Sequence, residues 1–283
     1  MHQKLKVSCL WPLLLAAAAI SGCEQKPAEQ NATQEASGKL GDEQAVAINS
    51  TDSATRLVVT EAQGDYVLPA CDDKQQPCPK ISLSHVVSND AWVNHFLDQQ
   101  IFRQYPIKVG KKTHIPDDFQ EVADGLLASI KPADPASANF TEKLDTVFLG
   151  MYKSFGMFMV TKFSFYEGAA QPYEAKKYYV LDLDRKKQLT LDDLLIKGKQ
   201  QQLYDLLFQQ FSAWVKKDFP QTPMADYEKD NPFTVTSNFS FNKDGVEFLY
   251  SPQELGSFAQ GAAVFTVPYA QLKGIVKPDY LKD

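Results

Sequence analysis

Apolar and polar residues follow regular spacings over most of the chain beyond residue 80. Residues 81–86 alternate between apolar and polar, which is typical of a half-buried strand. Asn89 and Asp90 then provide a helix start signal. The apolar residues of that helix recur at helical spacing: Trp92, Val93, Phe96, Leu97 and Ile101. A second helix is predicted over residues 116–130.

The middle of the chain is rich in large apolar residues and predicts long strands. Residues 140–165 indicate two such strands, with Gly156 as a candidate turn between them. Residues 178–183 predict another strand, and the charged residues 184–187 predict a turn.

The last third of the chain combines helical and strand patterns. A short helix is predicted at 191–196 and a longer one at 200–217, with Leu203, Leu207, Phe211 and Trp214 on one face. Strands are predicted at 233–241, 246–250 and 263–267, and a short final helix at 272–276. Because strands and helices occur in separate groups, the sequence predicts an α+β fold with a mixed, mainly antiparallel sheet.

The first 22 residues have the parts of an export signal. Lys4 and Lys6 precede an apolar stretch at 7–20, which ends in the small residues Ser21 and Gly22. The apolar stretch is 14 residues long, shorter than the roughly 20 residues that a spanning helix needs. The sequence therefore favours a cleaved signal peptide over a permanent transmembrane helix.

The end of this signal predicts a lipid anchor. Ile20, Ser21, Gly22 and Cys23 resemble the lipobox of bacterial lipoproteins, in which the cysteine is acylated and becomes the mature N-terminus. An ordinary signal peptide with a chance cysteine is the alternative. Glu24 stands where an aspartate would retain a lipoprotein in the inner membrane. We therefore expect a lipid-anchored protein of the outer membrane, with its globular part in the periplasm or at the surface.

Composition divides the remainder into a tether and a globular part. Residues 23–55 are rich in Gln, Ala, Glu, Ser and Thr and contain no aromatic residue, which predicts a disordered tether. The globular part is divided into an N-terminal α+β part at 56–143 and a C-terminal domain at 144–283. The sequence leaves open whether these two parts form one domain or two.

Net charge restricts the possible partners. The formal charge is −6, and removal of Lys4 and Lys6 with the signal makes it −8. Such a chain argues against nucleic acid as a ligand, because phosphates require a basic surface. It permits a cationic partner.

Two cysteines remain in the globular part. Cys71 and Cys78 are close in sequence, and a cysteine pair in an oxidising compartment indicates a disulfide. A metal site is the alternative, but it requires more ligands, and no histidine lies between these cysteines.

No motif predicts catalysis or a cofactor. The sequence contains no Gly-rich phosphate loop, no Gly-x-Ser-x-Gly elbow and no His-Glu-x-x-His. His85 and His95 are interpreted as structural or surface residues. Asp182 and Asp184 fit a solvated hairpin end, and Asp192 with Asp193 fits the start of a helix, where acids are favoured. The chain is therefore predicted to be a non-enzymatic protein without cofactor or metal.

The C-terminal half contains a series of short motifs, which lie in order at residues 165–170, 179–183, 189–195, 239–250, 251–261 and 267–272. Together these motifs resemble the RsiV-type extracytoplasmic domain. The resemblance covers roughly 145–276 and extends weakly over 78–101. That domain occurs in the anti-sigma-V factor and beside polysaccharide deacetylase domains, and the resemblance implies an α+β fold.

The resemblance also implies a ligand. The best understood member of that family binds lysozyme through this domain. Two departures limit the analogy: relatives often have Gly-Gly-Ala-His where this chain has Gly168, Ala169, Ala170 and Gln171, and this chain has no recognisable sigma-binding segment or deacetylase domain. An anti-sigma function is therefore not expected.

Candidate ligand contacts are placed on loops, because loops on a rigid scaffold usually carry recognition. Two loops supply them: Glu167, Gly168 and Gln171 in the first, and Gln253, Glu254 and Phe258 in the second. The alternative for the first loop is a plain connection between strands. The alternative for Phe258 is burial in the core.

Three functions remain open from the sequence. The first is a binding module for a lysozyme-like protein or for peptidoglycan. The second is an immunity or accessory lipoprotein that protects against a secreted toxin. The third is a hydrolase of unrecognised type.

Overall fold

A computed structural model describes residues 57–66, 79–130 and 140–282, all of which lie in one compact unit. Cys23, Cys71 and Cys78 lie outside these residues, so the lipid anchor, the signal peptide, the tether and the disulfide stay predictions. Among the helices of the described residues, none combines the length and apolar character needed to cross a membrane.

The described residues form eleven strands and six α-helices. The strands are β1 (Val59–Tyr66), β2 (Lys80–Ser88), β3 (Ile107–Val109), β4 (Lys112–His114), β5 (Thr141–Tyr152), β6 (Phe155–Phe165), β7 (Tyr173–Asp182), β8 (Lys187–Gln188), β9 (Phe239–Phe241), β10 (Gly245–Tyr250) and β11 (Ala263–Pro268). The helices are α1 (Ala91–Phe102), α2 (Phe119–Ser129), α3 (Leu191–Leu194), α4 (Gln200–Asp218), α5 (Met224–Asp230) and α6 (Tyr269–Leu272). Two short 3-10 helices lie at Phe258–Gln260, between β10 and β11, and at Pro278–Tyr280, after α6.

The main sheet has six strands in the order β1-β2-β5-β6-β7-β8. Only the β2–β5 pair is parallel, and the other neighbouring pairs are antiparallel. A second sheet has the order β11-β10-β9, and β3 with β4 forms a separate hairpin. The predicted α+β fold with a mixed, mainly antiparallel sheet is confirmed.

Local sequence explains where the two N-terminal helices begin. The side chain of Asp90 accepts hydrogen bonds from the backbone N–H groups of Trp92 and Val93 at the start of α1. Asp118 accepts one from Glu121 at the start of α2. Both helices agree with the predicted ones, because apolar spacing and capping are signals within one segment.

The main sheet is covered on two faces by different parts of the chain. On its helical face, Leu144, Phe158 and Tyr179 belong to one apolar core with the buried residues of α1 and α2. On its opposite face, Met157 and Val180 belong to a second core formed with α4, the β9–β11 sheet and the C-terminal turns. Alternate residues of β6 point to opposite faces, so one strand serves both cores.

The predicted boundary between residues 143 and 144 falls inside β5, which runs over Thr141–Tyr152. Strands from both sides of this position share the main sheet. Residues of the two predicted parts therefore contribute to the same hydrogen-bonded layer.

Several local predictions were wrong. The turn between β5 and β6 lies at Lys153 and Ser154, while Gly156 lies within β6. A side chain on Gly156 would contact Phe158 at 3.2 Å and Leu57 at 3.3 Å, so packing explains this glycine. The last α-helix is Tyr269–Leu272 and precedes the predicted position. Residues 233–238 are not strand, so β9 is shorter than predicted.

Candidate functional site

The connection between β6 and β7, with its flanking residues, forms an exposed tip at residues 166–173. Glu167, Gly168 and Gln171, the ligand contacts predicted for this connection, are all exposed, and their role stays a prediction. The Ala169 N–H donates to the Tyr166 carbonyl at 3.0 Å and closes a four-residue turn. Gly168 has a φ of 84° at the third position of this turn, a conformation that favours glycine. We call residues 166–173 the tyrosine tip.

Two large aromatic side chains flank this turn. Tyr166 is 52% exposed and Tyr173 is 56% exposed. The ring of Tyr166 packs 4.8 Å from that of Phe140, which is 2% exposed, so its inner side is fixed against the core. Tyrosine supplies a large contact area at a low entropy cost, and it is enriched at interface hot spots. Sequence reasoning missed both tyrosines, although aromatic residues at both strand ends of a Gly-containing connection were a usable signal.

A buried polar network lies beneath the tyrosine tip. Glu142 is 2% exposed and accepts hydrogen bonds from the Tyr105 hydroxyl at 2.7 Å and from the Ser164 hydroxyl at 2.5 Å. Lys162 Nζ lies 3.4 Å from Glu142 and 4.1 Å from the centre of the Tyr105 ring. Each polar side chain of the network therefore has a partner, which buried polar groups require.

The charge of Glu142 affects both neighbouring phenols. Burial is the main reason that the pKa of Tyr105 lies well above its usual range. The charge of Glu142 and its hydrogen bond raise this pKa further. Tyr105 therefore keeps its proton and remains the donor to Glu142. Burial and the charge of Glu142 also raise the pKa of Tyr166, so this exposed side chain presents a neutral hydroxyl at physiological pH.

The second predicted loop is held by its own hydrogen bonds. The Glu254 N–H donates to the Ser251 carbonyl at 3.1 Å, and Gln253 has a φ of 73° in this turn. The Glu254 carboxylate accepts a hydrogen bond from the Ser251 N–H at 3.0 Å. Desolvation raises the pKa of Glu254, although this hydrogen bond opposes the shift. Gln253 and Glu254 are exposed, but Glu254 already has a structural task in closing the turn.

Phe258 begins a short 3-10 helix and is half-buried. This exposure lies between the two alternatives from the sequence, an exposed ligand contact and burial in the core. The turn around it is tightly packed, because a side chain on Gly256 would lie 2.5 Å from the Tyr227 hydroxyl. That hydroxyl donates to the Leu255 carbonyl at 3.0 Å. The backbone of this loop is therefore tied to α5.

Side chains from the C-terminal region close the free edge of β7. The Tyr178 N–H donates to Asn238 Oδ1 at 2.7 Å, and Asn238 Nδ2 donates to the Lys176 carbonyl at 2.8 Å. The Ser251 hydroxyl accepts the Lys176 N–H at 3.0 Å. These contacts place Ser251, the first residue of the turn in the second loop, beside β7, the strand that follows the tyrosine tip.

An open hollow of about 310 Å³ lies on the opposite face of the main sheet. It is lined by Lys143, Asp145, Thr161, Phe163 and Glu174. In the register these residues are cross-strand neighbours on β5, β6 and β7. The hollow combines one aromatic ring with charged and hydroxyl groups.

Asp182 and Asp193, from the two aspartate pairs considered in the sequence, have structural roles. Asp182 is 2% exposed and accepts the N–H groups of Asp184 and Arg185, so the solvated hairpin end inferred for Asp182 was wrong. Asp193 forms a capping box with Thr190 at the start of α3, as its position predicted.

Two of the histidines in the described residues, His85 and His114, have neighbours that explain them. His85 packs 4.4 Å from the ring of Phe119, and its Nδ1 lies 3.6 Å from Asp98. His114 Nε2 lies 2.8 Å from Glu121, and Asp117 is close enough to complete a possible ligand trio within 4.8 Å. The Asp117 N–H also donates to Glu121, so ion pairing and helix capping account for this group.

Comparison with known proteins finds a similarity over part of this chain. Residues 192–270 match the family described as "Protein of unknown function (DUF3298)". The matched residues are therefore similar to a DUF3298 domain. The match begins within α3 and ends within α6, so it contains Gln253, Glu254 and Phe258 but not the tyrosine tip.

Solved structures extend the likeness beyond the matched residues. A DUF3298 family protein from Pseudomonas aeruginosa PAO1 has a TM-score of 0.68 at 17% identity, over 81% of this chain and 98% of that chain. A DUF3298 family member from Bacteroides fragilis NCTC 9343 has a TM-score of 0.58 at 17% identity, over 78% of this chain and 94% of that chain. At these identities the likeness concerns the fold. No curated protein matches the sequence.

Proposed function

We propose that this chain is a non-enzymatic lipoprotein of the bacterial outer membrane that binds a cationic, lysozyme-like protein through its tyrosine tip. The observation that carries the proposal is the pair of exposed tyrosines beside the exposed acid Glu167. The RsiV-type resemblance supports the same ligand class, since it includes residues 165–170 at the start of this tip.

The architecture of the tip suits protein recognition. Tyr166 is fixed by Phe140, and the network around Glu142 holds the ends of β5 and β6 together beneath it. A surface that is rigid before binding loses less entropy in the complex. The tyrosines supply the contact area, and Glu167 supplies charge complementarity to a basic partner, which acts mainly on the association rate.

Calorimetry with a c-type lysozyme at low salt tests this function. The chain with Cys23→Ser should bind with micromolar or tighter affinity, and Tyr173→Ala should weaken binding by roughly thirtyfold, about 2 kcal/mol. Val264→Ala, at a residue that is 47% exposed on β11, is the matched control and should change nothing. Absence of binding heat from a protein that is folded by circular dichroism would favour the immunity or accessory function.

Charge reversal separates the electrostatic part of the proposal. Glu167→Lys should slow association and weaken its salt dependence, while Asp230→Lys, an exposed acid at the end of α5, should leave the rate unchanged. Equal effects of the two variants would mean that net charge, rather than the tip, steers the partner.

Peptidoglycan is the second candidate, and the hollow on the opposite face favours it. Phe163 offers a ring for a sugar to pack on, and Asp145, Thr161 and Glu174 offer hydrogen-bonding groups. Sedimentation with purified peptidoglycan would detect this binding. Loss with Phe163→Ala, but not with Tyr173→Ala, would assign the ligand to the hollow.

The predicted lipid anchor and the predicted disulfide are tested separately. Replacing Cys23 with serine should abolish incorporation of a labelled fatty acid and release the protein from membranes. Mass spectrometry of the unreduced protein from the envelope should find Cys71 linked to Cys78. Fatty-acid label retained by the Cys23→Ser variant would contradict the lipid anchor. Two freely alkylated thiols at Cys71 and Cys78 would contradict the disulfide.

A further inference from the structure

The β3–β4 hairpin is a small, rigid projection between α1 and α2 in the chain. Its register pairs Ile107 with His114 and Val109 with Lys112, which leaves a two-residue turn at Gly110 and Lys111. Gly110 has a φ of 63°, and such a turn suits glycine at its first central position. We call residues 107–114 the lysine hairpin.

The lysine hairpin is attached firmly to α2. A side chain on Gly125 would lie 2.9 Å from Ile107 Cδ1, so the absence of one lets the hairpin pack against the helix. At the other strand, His114 Nε2 lies 2.8 Å from Glu121, also on α2. These two contacts place both strands of the hairpin beside α2.

Three exposed lysines concentrate positive charge on this hairpin: Lys108, Lys111 and Lys112. None of them belongs to an ion pair among the described residues, whereas other lysines such as Lys186 and Lys187 do. The whole chain has 35 acidic and 29 basic residues, so this concentration runs against its net charge. Unpaired charges of one sign favour an anionic partner.

An apolar residue lies among these charges. Val109 is 65% exposed, the highest value among the large apolar residues described as exposed, and Ile115 beyond the hairpin is 37% exposed. A partner that satisfies both features must offer negative charge next to an apolar layer. An anionic bilayer offers both, because lysine side chains place their ammonium groups at the headgroups while an apolar residue enters the interface.

We propose that the lysine hairpin docks the globular part on a membrane surface that contains anionic lipids. The three lysines act on the headgroups and Val109 enters the interface. This contact is independent of the ligand at the tyrosine tip and of the predicted lipid on Cys23. It would hold the globular part against the bilayer in a defined orientation.

Vesicle sedimentation tests this contact with the full chain carrying Cys23→Ser. Because the apolar stretch at 7–20 is present in every variant, only differences between variants are interpreted. The hairpin variant has Lys108→Glu, Lys111→Glu and Lys112→Glu. The control has Lys197→Glu, Lys243→Glu and Lys273→Glu, three exposed lysines at scattered positions with the same total charge change.

Each lysine near an anionic surface contributes about fivefold to binding, or about 1 kcal/mol. With vesicles of phosphatidylglycerol and phosphatidylethanolamine, the hairpin variant should therefore bind at least tenfold more weakly, and the control should stay within about twofold. With phosphatidylcholine vesicles the two variants should bind equally. Equal weakening of both variants on anionic vesicles, or of neither, would overturn the proposal.

A second pair of variants tests the apolar part without changing the charge. Val109→Ser should weaken binding to the anionic vesicles severalfold, while Val264→Ser, at an exposed residue of β11, should have a smaller effect. If Val109→Ser binds like Val264→Ser, the proposed entry of Val109 into the interface is wrong. Circular dichroism of all variants confirms that each is folded.

Discussion

On its helical face, the main sheet encloses a buried carboxylate beside apolar side chains of α1 and α2, whereas the core on its opposite face is largely aromatic and apolar. Glu142, Tyr105 and Ser164 form the polar network of the first face. Phe211 and Phe248 are examples from the second, and both are 0% exposed. The two cores share β6 and are both mainly apolar, and the helical face adds the Glu142 network.

The opposite face is covered at one end of β6 and open at the other. On the opposite face, Phe155, Met157 and Val180 pack into the core near the β5–β6 turn, while Thr161 and Phe163 farther along β6 line the open hollow. The buried end supplies stability, and the open end leaves side chains available for a ligand. This open end is the candidate surface for the proposed peptidoglycan binding.

The largest expected effect is loss of an aromatic residue from the apolar core. Phe211→Ala should lower the free energy of unfolding by about 3–5 kcal/mol, because it removes a buried ring that stacks on Phe233 at 4.8 Å. Phe219→Ala, at a residue that is 38% exposed, is the matched control and should cost less than about 1 kcal/mol. Equal losses in chemical denaturation would contradict the assignment of Phe211 to the core.

Removal of the buried carboxylate should have the next largest effect. Glu142→Ala should cost about 2–3 kcal/mol, because the Tyr105 and Ser164 hydroxyls lose their acceptor while Lys162, 19% exposed, still reaches water. Glu61→Ala on the exposed side of β1 should be nearly neutral in the same denaturant titration. A neutral Glu142→Ala would mean that the polar network does not stabilise the helical face.

Opening the edge of β7 should cost less. Asn238→Ala should lower stability by about 1–2 kcal/mol, because the Tyr178 N–H and the Lys176 carbonyl lose their partners. Hydrogen exchange at the Tyr178 amide should accelerate, while the Tyr179 amide, which points towards β6, should exchange as before. Unchanged protection of Tyr178 would show that Asn238 does not close this edge.

The smallest expected effect concerns how the free energy of unfolding changes at acid pH. Partial burial raises the pKa of Asp193, but hydrogen bonds from Lys187 and Thr190 outweigh it and lower the pKa to about 2. Because the folded pKa is depressed, this contribution is present above the unfolded pKa near 4 and is lost as the pH falls through about 2. Asp193→Asn should flatten the stability profile in this range, and an unchanged profile would contradict the assignment.

Helices α1, α2 and α4 were predictable because their signals are local. Apolar spacing gave the buried faces of α1 and α4, and Asp90 gave the start of α1. The start of α2 was predicted at 116–117, slightly before its cap at Asp118. The long strands β6 and β7 were also predictable as strands. Strands β1, β3 and β4 were missed, since they are short or rich in polar residues and become strands through pairing with partners.

The candidate site was predictable only in part. Residues 167–171 were predicted to join two strands, and they do connect β6 with β7, while their role as ligand contacts stays a prediction. Glu254 was predicted as a contact from its charge, but its carboxylate closes a turn with Ser251. The sequence does not reveal this, because the same residue type serves both tasks.

By itself, the sequence determined the fold class, most helices and the composition that predicts an exported lipoprotein, because these depend on patterns within short segments. The tertiary structure alone decided that Glu142 is buried with Tyr105, that Asn238 closes the edge of β7, and that Tyr166 and Tyr173 remain exposed. Exposure and polar pairing depend on residues far apart in sequence. Tyr105 and Glu142 are 37 positions apart, and Asn238 and Lys176 are 62 apart, so only folding brings these partners together.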